Sequence, residues 1–296
     1  MADGRYDAFI KTVELGSLTK AAEVLGYTQS GISHMLAGLE AELGATLLLR
    51  DRSGVRLTPE GAALLPQVQA VCASSRELAD AAASLRGMES GVVRIGAFSS
   101  VSCHILPPLI KSFLDSHPGI SFELLQSDYP ETERWVAEGR VDFGFLGLYP
   151  RRECDVIPLL RNRVLAVLPA RHPMAKEAAF PLSRLAEEPF IALDEGNDYE
   201  IRGVLAQNNL TPRTVFRVRD DYTIMSMVEA GLGVSLLPEL VLRRCAYKVT
   251  TLPLDPPAFW QLGVILRDRS RMSAASRAFL RHLTDSLRVS CKWAIL

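Results

Sequence analysis

The sequence has no excess of charge. Its 33 Lys and Arg stand against 34 Asp and Glu, a formal net charge of −1 over 296 residues. The wholesale basic footprint of a chain that coats nucleic acid is therefore absent. No apolar run approaches the roughly 18 residues of a membrane span. The opening MADGRYDAFI lacks the basic-then-apolar pattern of an export signal. A cytoplasmic protein with no membrane partner is expected. Cysteine is scarce and scattered: Cys72, Cys103, Cys154, Cys245 and Cys291 show neither ligand nor redox spacing. Reduced structural thiols are expected, with no metal and no cofactor. Catalytic signatures are missing too: there is no HExxH, GxSxG, P-loop or GxGxxG after a strand. The five histidines, His34, His104, His117, His172 and His282, are dispersed. An enzyme is not expected, and a small-molecule carrier would normally bear an export signal.

What is present divides the chain into three textures. Hydrophobic residues make up 48% and charged residues 23%, which is enough for packed cores, and the length suits two domains. Residues 1–58 are short helical pieces ending in an Arg-rich stretch, residues 59–87 read as one long helix, and from Gly91 short apolar strands alternate with helical patterns. In SLTKAAEVLGYTQSGISHMLAGLE, Ser17 is a good N-cap for a helix through Leu25. Gly26 ends that helix, and Thr28 can cap the next. Ile32, Leu36, Leu39 and Leu43 form one apolar stripe, and the small Ala21 and Ala22 let the two helices cross closely. That is a helix-turn-helix. Gln29, Ser30, Ser33 and His34 fall outside the stripe, at positions that in this motif meet base edges and phosphates in the major groove.

Local charge argues the other way, with six basic against eight acidic residues in 1–60. Placement matters more. Arg50, Arg52 and Arg56 sit together in LLLRDRSGVRLT, a β-hairpin pattern turning at Ser53-Gly54, and would form a compact basic wing beside the reading helix.

The stretch Phe9 to Gly61 resembles the winged helix-turn-helix of the LysR-type transcriptional regulators. The resemblance rests on Phe9, Gly16-Ser17-Leu18-Thr19, Ala21-Ala22, Leu25, Thr28-Gln29-Ser30, Ser33, Leu39-Glu40, Leu43-Gly44, Leu47, Arg50, Leu57-Thr58 and Gly61. Gly31, His34 and Leu48 depart from the common pattern. It implies double-stranded promoter DNA as a partner. Thr28, Gln29, Ser30, Ser33, His34, Arg50 and Arg52 are then the DNA-binding set, with Gln29, Ser30 and His34 choosing sequence and Ser33, Arg50 and Arg52 holding phosphates. Contact with the transcription machinery is a further possible partnership.

The long helix opens with Thr58 as N-cap, Pro59 at the first position and Glu60 at the positive end. Leu64, Val68, Val71, Ser75, Leu78, Ala82 and Leu85 follow a heptad seam, with Pro66 near the first turns. Such a seam needs cover, either from the chain's own effector domain or from the same helix of a second subunit. The resemblance favours the second, a homodimer, and implies a homotetramer through paired effector domains. Arg86 to Gly91 reads as a hinge.

Strand candidates beyond it are VVRIGA, SFELL, VDFGFLG, RVLAVLP, PFIAL, TVFRV, GVSLLP and LGVILR, and the helical patterns between them argue for α/β architecture. The resemblance implies a two-lobed, periplasmic-binding-protein-like effector domain over 91–296. Lobe one would comprise 91–162 and 268–296, and lobe two 163–267. A small-molecule effector would lie between them. Ser99, Ser100 and Ser102 open a helix expected to run through His104 to Phe113, and hydroxyls with free amides at a helix start suit an anionic metabolite. The resemblance adds Tyr129, Gly147, Asn197, Asp198, Tyr199, Tyr222 and Thr223 to the effector-binding set.

Overall fold

The computed structural model describes residues 4–51, 54–84, 90–148, 155–194 and 199–289. The head contains α1 (Gly4–Leu15), α2 (Leu18–Leu25), α3 (Gln29–Leu43) and the antiparallel hairpin β1 (Leu48–Asp51) and β2 (Gly54–Leu57). Ser17 Oγ accepts the Lys20 N–H, and Gly26 stops α2 at φ 73°. Ala8, Phe9, Ala22, Ile32, Leu36 and Leu39 make the head's core. A fully buried Phe or Leu of this kind contributes roughly 1.5–3 kcal/mol. Leu43, expected in the same stripe, is exposed at the end of α3.

The long helix α4 (Pro59–Ser84) begins where the sequence places it. Thr58 Oγ1 accepts the Gly61 N–H at 2.8 Å and donates to the Thr46 carbonyl at 2.7 Å. A Cβ at Gly61 would meet the Leu47 carbonyl oxygen at 2.1 Å, so only glycine lets α4 start against the hairpin. Pro66 lies inside the helix, beyond its first turns, where it removes one backbone donor without ending the helix. The apolar seam divides. Leu64 and Val68 pack on the head's core, whereas Val71 and Leu78 are 46% and 66% exposed. Leu85 and the hinge residues 86–89 lie outside the described residues. Cys72 is buried, and burial followed by the Asp7 carboxylate pushes its thiol up to about 12. It stays protonated and inert.

The remainder is an α/β unit. Lobe one carries β3 (Gly91–Ala97), α5 (Ser99–His104), α6 (Leu106–Ser116), β4 (Ile120–Gln126), α7 (Tyr129–Ala137) and β5 (Phe143–Gly147). The long β6 (Asp155–Pro169) leads away to β7 (Phe180–Pro181), β8 (Phe190–Leu193), α8 (Tyr199–Gln207), β9 (Thr214–Val218), α9 (Asp221–Glu229) and β10 (Ser235–Pro238). The equally long β11 (Val249–Leu266) returns, and α10 (Ala274–Val289) packs on lobe one. β3 runs parallel to β4 and β5, while β5, β11, β6 and β10 join antiparallel, giving the order β10-β6-β11-β5-β3-β4. β8 and β9 form a separate parallel pair, tied to the segment before β10 by a Phe190–Val234 bridge. The paired strands β6 and β11 thus carry the chain between the lobes, with a register shift between Pro253 and Ala258. One apolar core runs from Ile95, Phe143 and Phe279 in lobe one to Leu185 and Phe190 in lobe two.

Candidate nucleic-acid interface and effector cleft

The outer face of α3 is polar because its apolar residues are spent on the core. Thr28 caps it, its Oγ1 accepting the Gly31 N–H at 3.1 Å and lying 3.1 Å from Ser30 Oγ. A Cβ at residue 31 would approach that hydroxyl to 3.2 Å, so glycine there gives the cap room. Thr28, Gln29, Ser30 and His34 are exposed, and Ser33 is half-buried. Three hydrogen bonds fasten the hairpin to this helix. Glu40 Oε1 accepts the N–H groups of Leu47 and Leu48 at 2.7 and 3.2 Å. Arg50 Nη1 donates to Ser33 Oγ at 2.8 Å. The structure therefore brings six of the seven sequence-derived residues into one exposed region. Arg52 lies outside the described residues.

The second candidate site lies between the lobes. β3 runs into Phe98, Ser99 and Ser100, which form one wall of a cavity together with Tyr129, the first residue of α7. Lobe two supplies Leu193, Ile201 and Asp221, then Leu236, Leu237, Pro238 and Val241, and Trp260 comes from β11. The volume is ≈ 40 Å³. The Phe98 ring stands edge-on to Tyr129 at 5.2 Å and to Trp260 at 5.8 Å. Ser100 Oγ and Trp260 Nε1 are buried here with no hydrogen-bond partner. Such a group costs about 1–3 kcal/mol when left unsatisfied, so its persistence asks for a reason.

Of the residues singled out from the sequence, Ser99, Ser100 and Tyr129 meet in this cavity. Ser102 and Gly147 do not line it, and Gly147 is occupied in the β5–β11 ladder opposite Leu262. Tyr222 is exposed and reaches Cys103 of α5, and its phenol is pushed up by burial first and by Cys103 next. Thr223 spends its amide and hydroxyl on Asp220 Oδ2, both at 2.7 Å, in the cap of α9. Asn197, Asp198 and the Tyr199 side chain lie outside what is described. The expected helix from the serines to Phe113 is two helices. α5 is only six residues long and breaks at Ile105, because Pro107 and Pro108 follow. His104, at the end of α5, is held below the usual histidine range by burial and then by Arg243 and Arg244. None of these three lines the cavity. Sequence reasoning missed Phe98, Asp221 and Trp260. Their only signal was position, at a strand end, at a helix start and within a strand.

The helix that begins in the cleft ends on the head. Beyond α7 the turn Glu138-Gly139-Arg140 touches both α1 and α4. Arg140 Nη1 lies 3.0 Å from Glu14 Oε1 on α1, and Glu138 bonds Gln69 on α4. Gly139 has φ +65°, and a Cβ there would lie 2.7 Å from the Cβ of Ala73 on α4. A second tie pairs Arg267 with Glu77 of α4. A larger cavity of ≈ 440 Å³ separates α1 and α4 from lobe one. Among its charges, Lys11 and Arg140 pair with Glu14 and Arg94 with Glu123.

Residues 5–62 match the bacterial regulatory helix-turn-helix protein model of the lysR family, and residues 86–288 match the LysR substrate binding domain. The chain is 32% identical to the uncharacterized HTH-type transcriptional regulator YvbU of Bacillus subtilis, covering 92% of this chain and 94% of that one. In fold it is similar to full-length OxyR from Pseudomonas aeruginosa, with TM-score 0.74, 24% identity, and 99% and 97% of the two chains covered. It is also similar to CbnR, a LysR family regulator, with TM-score 0.71, 20% identity, and 97% and 99% covered. The two family models between them cover the head, the start of the long helix and nearly all of the α/β unit, and the chain belongs to the LysR family of DNA-binding transcriptional regulators.

Proposed function

We propose that this regulator reads promoter DNA in the cytoplasm with Gln29, Ser30 and His34 at base edges and with Ser33, Arg50 and Arg52 along the phosphates, Thr28 completing the DNA-binding set at the start of α3. A small molecule held between the lobes changes that reading. The division into a head over 1–58, a linker helix over 59–87 and lobes meeting near 162 and 268 belongs to the same proposal. So does pairing through α4, whose Val71 and Leu78 stand uncovered, and further assembly into tetramers. The observation that carries the DNA reading is the Arg50–Ser33 bond, which ties a cationic hairpin to the exposed polar face of α3. The expectation of an anionic effector has its support in the hydroxyls at the start of α5. Against it, that helix is short, and no Lys, Arg or His is among the described residues lining the cavity.

The test selects fragments from a genomic pool with the purified full chain. A narrow set of fragments should be retained, Gln29→Ala should change which fragments they are, and Ser33→Ala should weaken all of them together. Equal retention of every fragment would remove sequence-specific reading by α3.

A further inference from the structure

The cleft holds two buried polar groups with nothing to bind. Trp260 Nε1–H can only donate. The residue is 4% exposed, and the donor lines the cavity without an acceptor. Ser100, 6% exposed, brings its hydroxyl to the same space, also without a partner. Around them the walls are apolar, with Ile201, Leu236, Leu237 and Val241 facing the rings of Phe98 and Tyr129. One formal charge is present among the described lining residues, the Asp221 carboxylate, whose Oδ1 is buried.

We propose that the effector is an uncharged, largely apolar molecule that presents a hydrogen-bond acceptor, such as a carbonyl oxygen, to Trp260 Nε1–H. This rests on the reading of the cleft as the effector site. An anion would shed its water among apolar walls, with one neutral N–H and one hydroxyl to receive it, which is a poor exchange. An ammonium ion has only donors to offer and would leave the indole N–H without an acceptor. An uncharged acceptor satisfies the donor and keeps the apolar walls in contact. The cavity of ≈ 40 Å³ admits only a small group as it stands. A larger ligand must part Phe98, Ser100 and Tyr129 of lobe one from Ile201 and Leu236 of lobe two. Its binding energy is then spent on the lobe arrangement, which is the differential affinity a switch requires.

Shape-matched probes test the charge directly. The full-length protein, labelled with 15N at the tryptophan indoles, is titrated with isobutyramide, isobutyrate and isobutylamine, then with benzamide, benzoate and benzylamine, to their solubility limits. Trp260→Phe identifies the Trp260 signal by its loss. The amides should move that signal saturably, and bind about tenfold or more tightly than the carboxylates of the same shape. If a carboxylate or an amine moves the Trp260 signal at equal or lower concentration than its amide, the proposed ligand class is wrong while the cleft remains the effector site. If no probe moves it, the cleft reading and the ligand class fall together.

Discussion

Replacing Gly139 by Ala probes the place where the effector domain leans on the linker helix. Two costs add. The backbone at φ +65° is left-handed, and a side chain there costs roughly 1–2 kcal/mol. The new Cβ would also sit 2.7 Å from the Ala73 Cβ, well inside a normal carbon contact, and overpacking of this kind costs about 1–3 kcal/mol. Ala73→Gly alone should cost about 1 kcal/mol, the price of glycine inside a helix. The double variant loses the collision and keeps only the two backbone terms. It should therefore be more stable than the sum of the single changes allows, by about 1–3 kcal/mol of coupling. Urea titration followed by Trp135 fluorescence is the assay. That residue is buried on α7, with the Arg140 guanidinium 5.1 Å from its ring centre. Strict additivity, within about 0.5 kcal/mol, would show that Gly139 and Ala73 do not touch in solution and that the docking of α7 on α4 is not populated.

Arg50→Ala should weaken binding to all DNA sequences alike and lower the salt slope by about one; an unchanged slope with altered base preference would assign Arg50 to base reading. Leu78→Glu places a charge on a side chain that is 66% exposed in the single chain, so it should leave the thermal transition of each chain intact and dissociate the oligomer in sedimentation; an unchanged sedimentation coefficient would remove α4 as the pairing element. Burial raises the Asp142 carboxyl above its ordinary 3.8 even though the Arg94 N–H and the Ser276 hydroxyl both donate to its Oδ2 at 2.7 Å. The folded chain therefore holds that proton where the unfolded chain has lost it, and this contribution to stability falls as pH rises from 3.8 toward the folded value. Asp142→Asn keeps both bonds at its amide oxygen, so it should flatten that part of the pH profile and cost no stability at neutral pH, as measured by denaturant titration across pH.

Local chemistry was legible where it acts over a few residues. Ser17, Thr28 and Thr58 cap the helices that their side chains announce, and Gly26 stops α2. Every strand candidate after residue 90 found a strand, because alternating apolar runs between turns leave few other solutions. The misreadings have separate causes. The break at Ile105 was written in Pro107 and Pro108 but was outweighed by the apolar pattern that continues to Phe113. The full lengths of β6 and β11 were not written locally at all, since each extends as far as the other pairs with it. The cleft was legible by half. Ser100 and Tyr129 sit where a strand ends and a helix begins, but Trp260 joins them across more than a hundred residues of chain, through a ladder whose register no short window contains.

The turn at 138–140 has a consequence for anyone recombining such proteins. α7 begins with Tyr129 against the cavity between the lobes, and the turn that follows it touches Glu14, Gln69 and Ala73. The head and the effector domain are thus matched parts rather than interchangeable modules. Grafted onto a foreign head, this effector domain would keep these contacts only if the graft also carried an acid at the Glu14 position and a small residue at the Ala73 position. Conversely, a foreign effector domain placed on this head would need a glycine turn and an arginine at the end of its corresponding helix to dock in the same way.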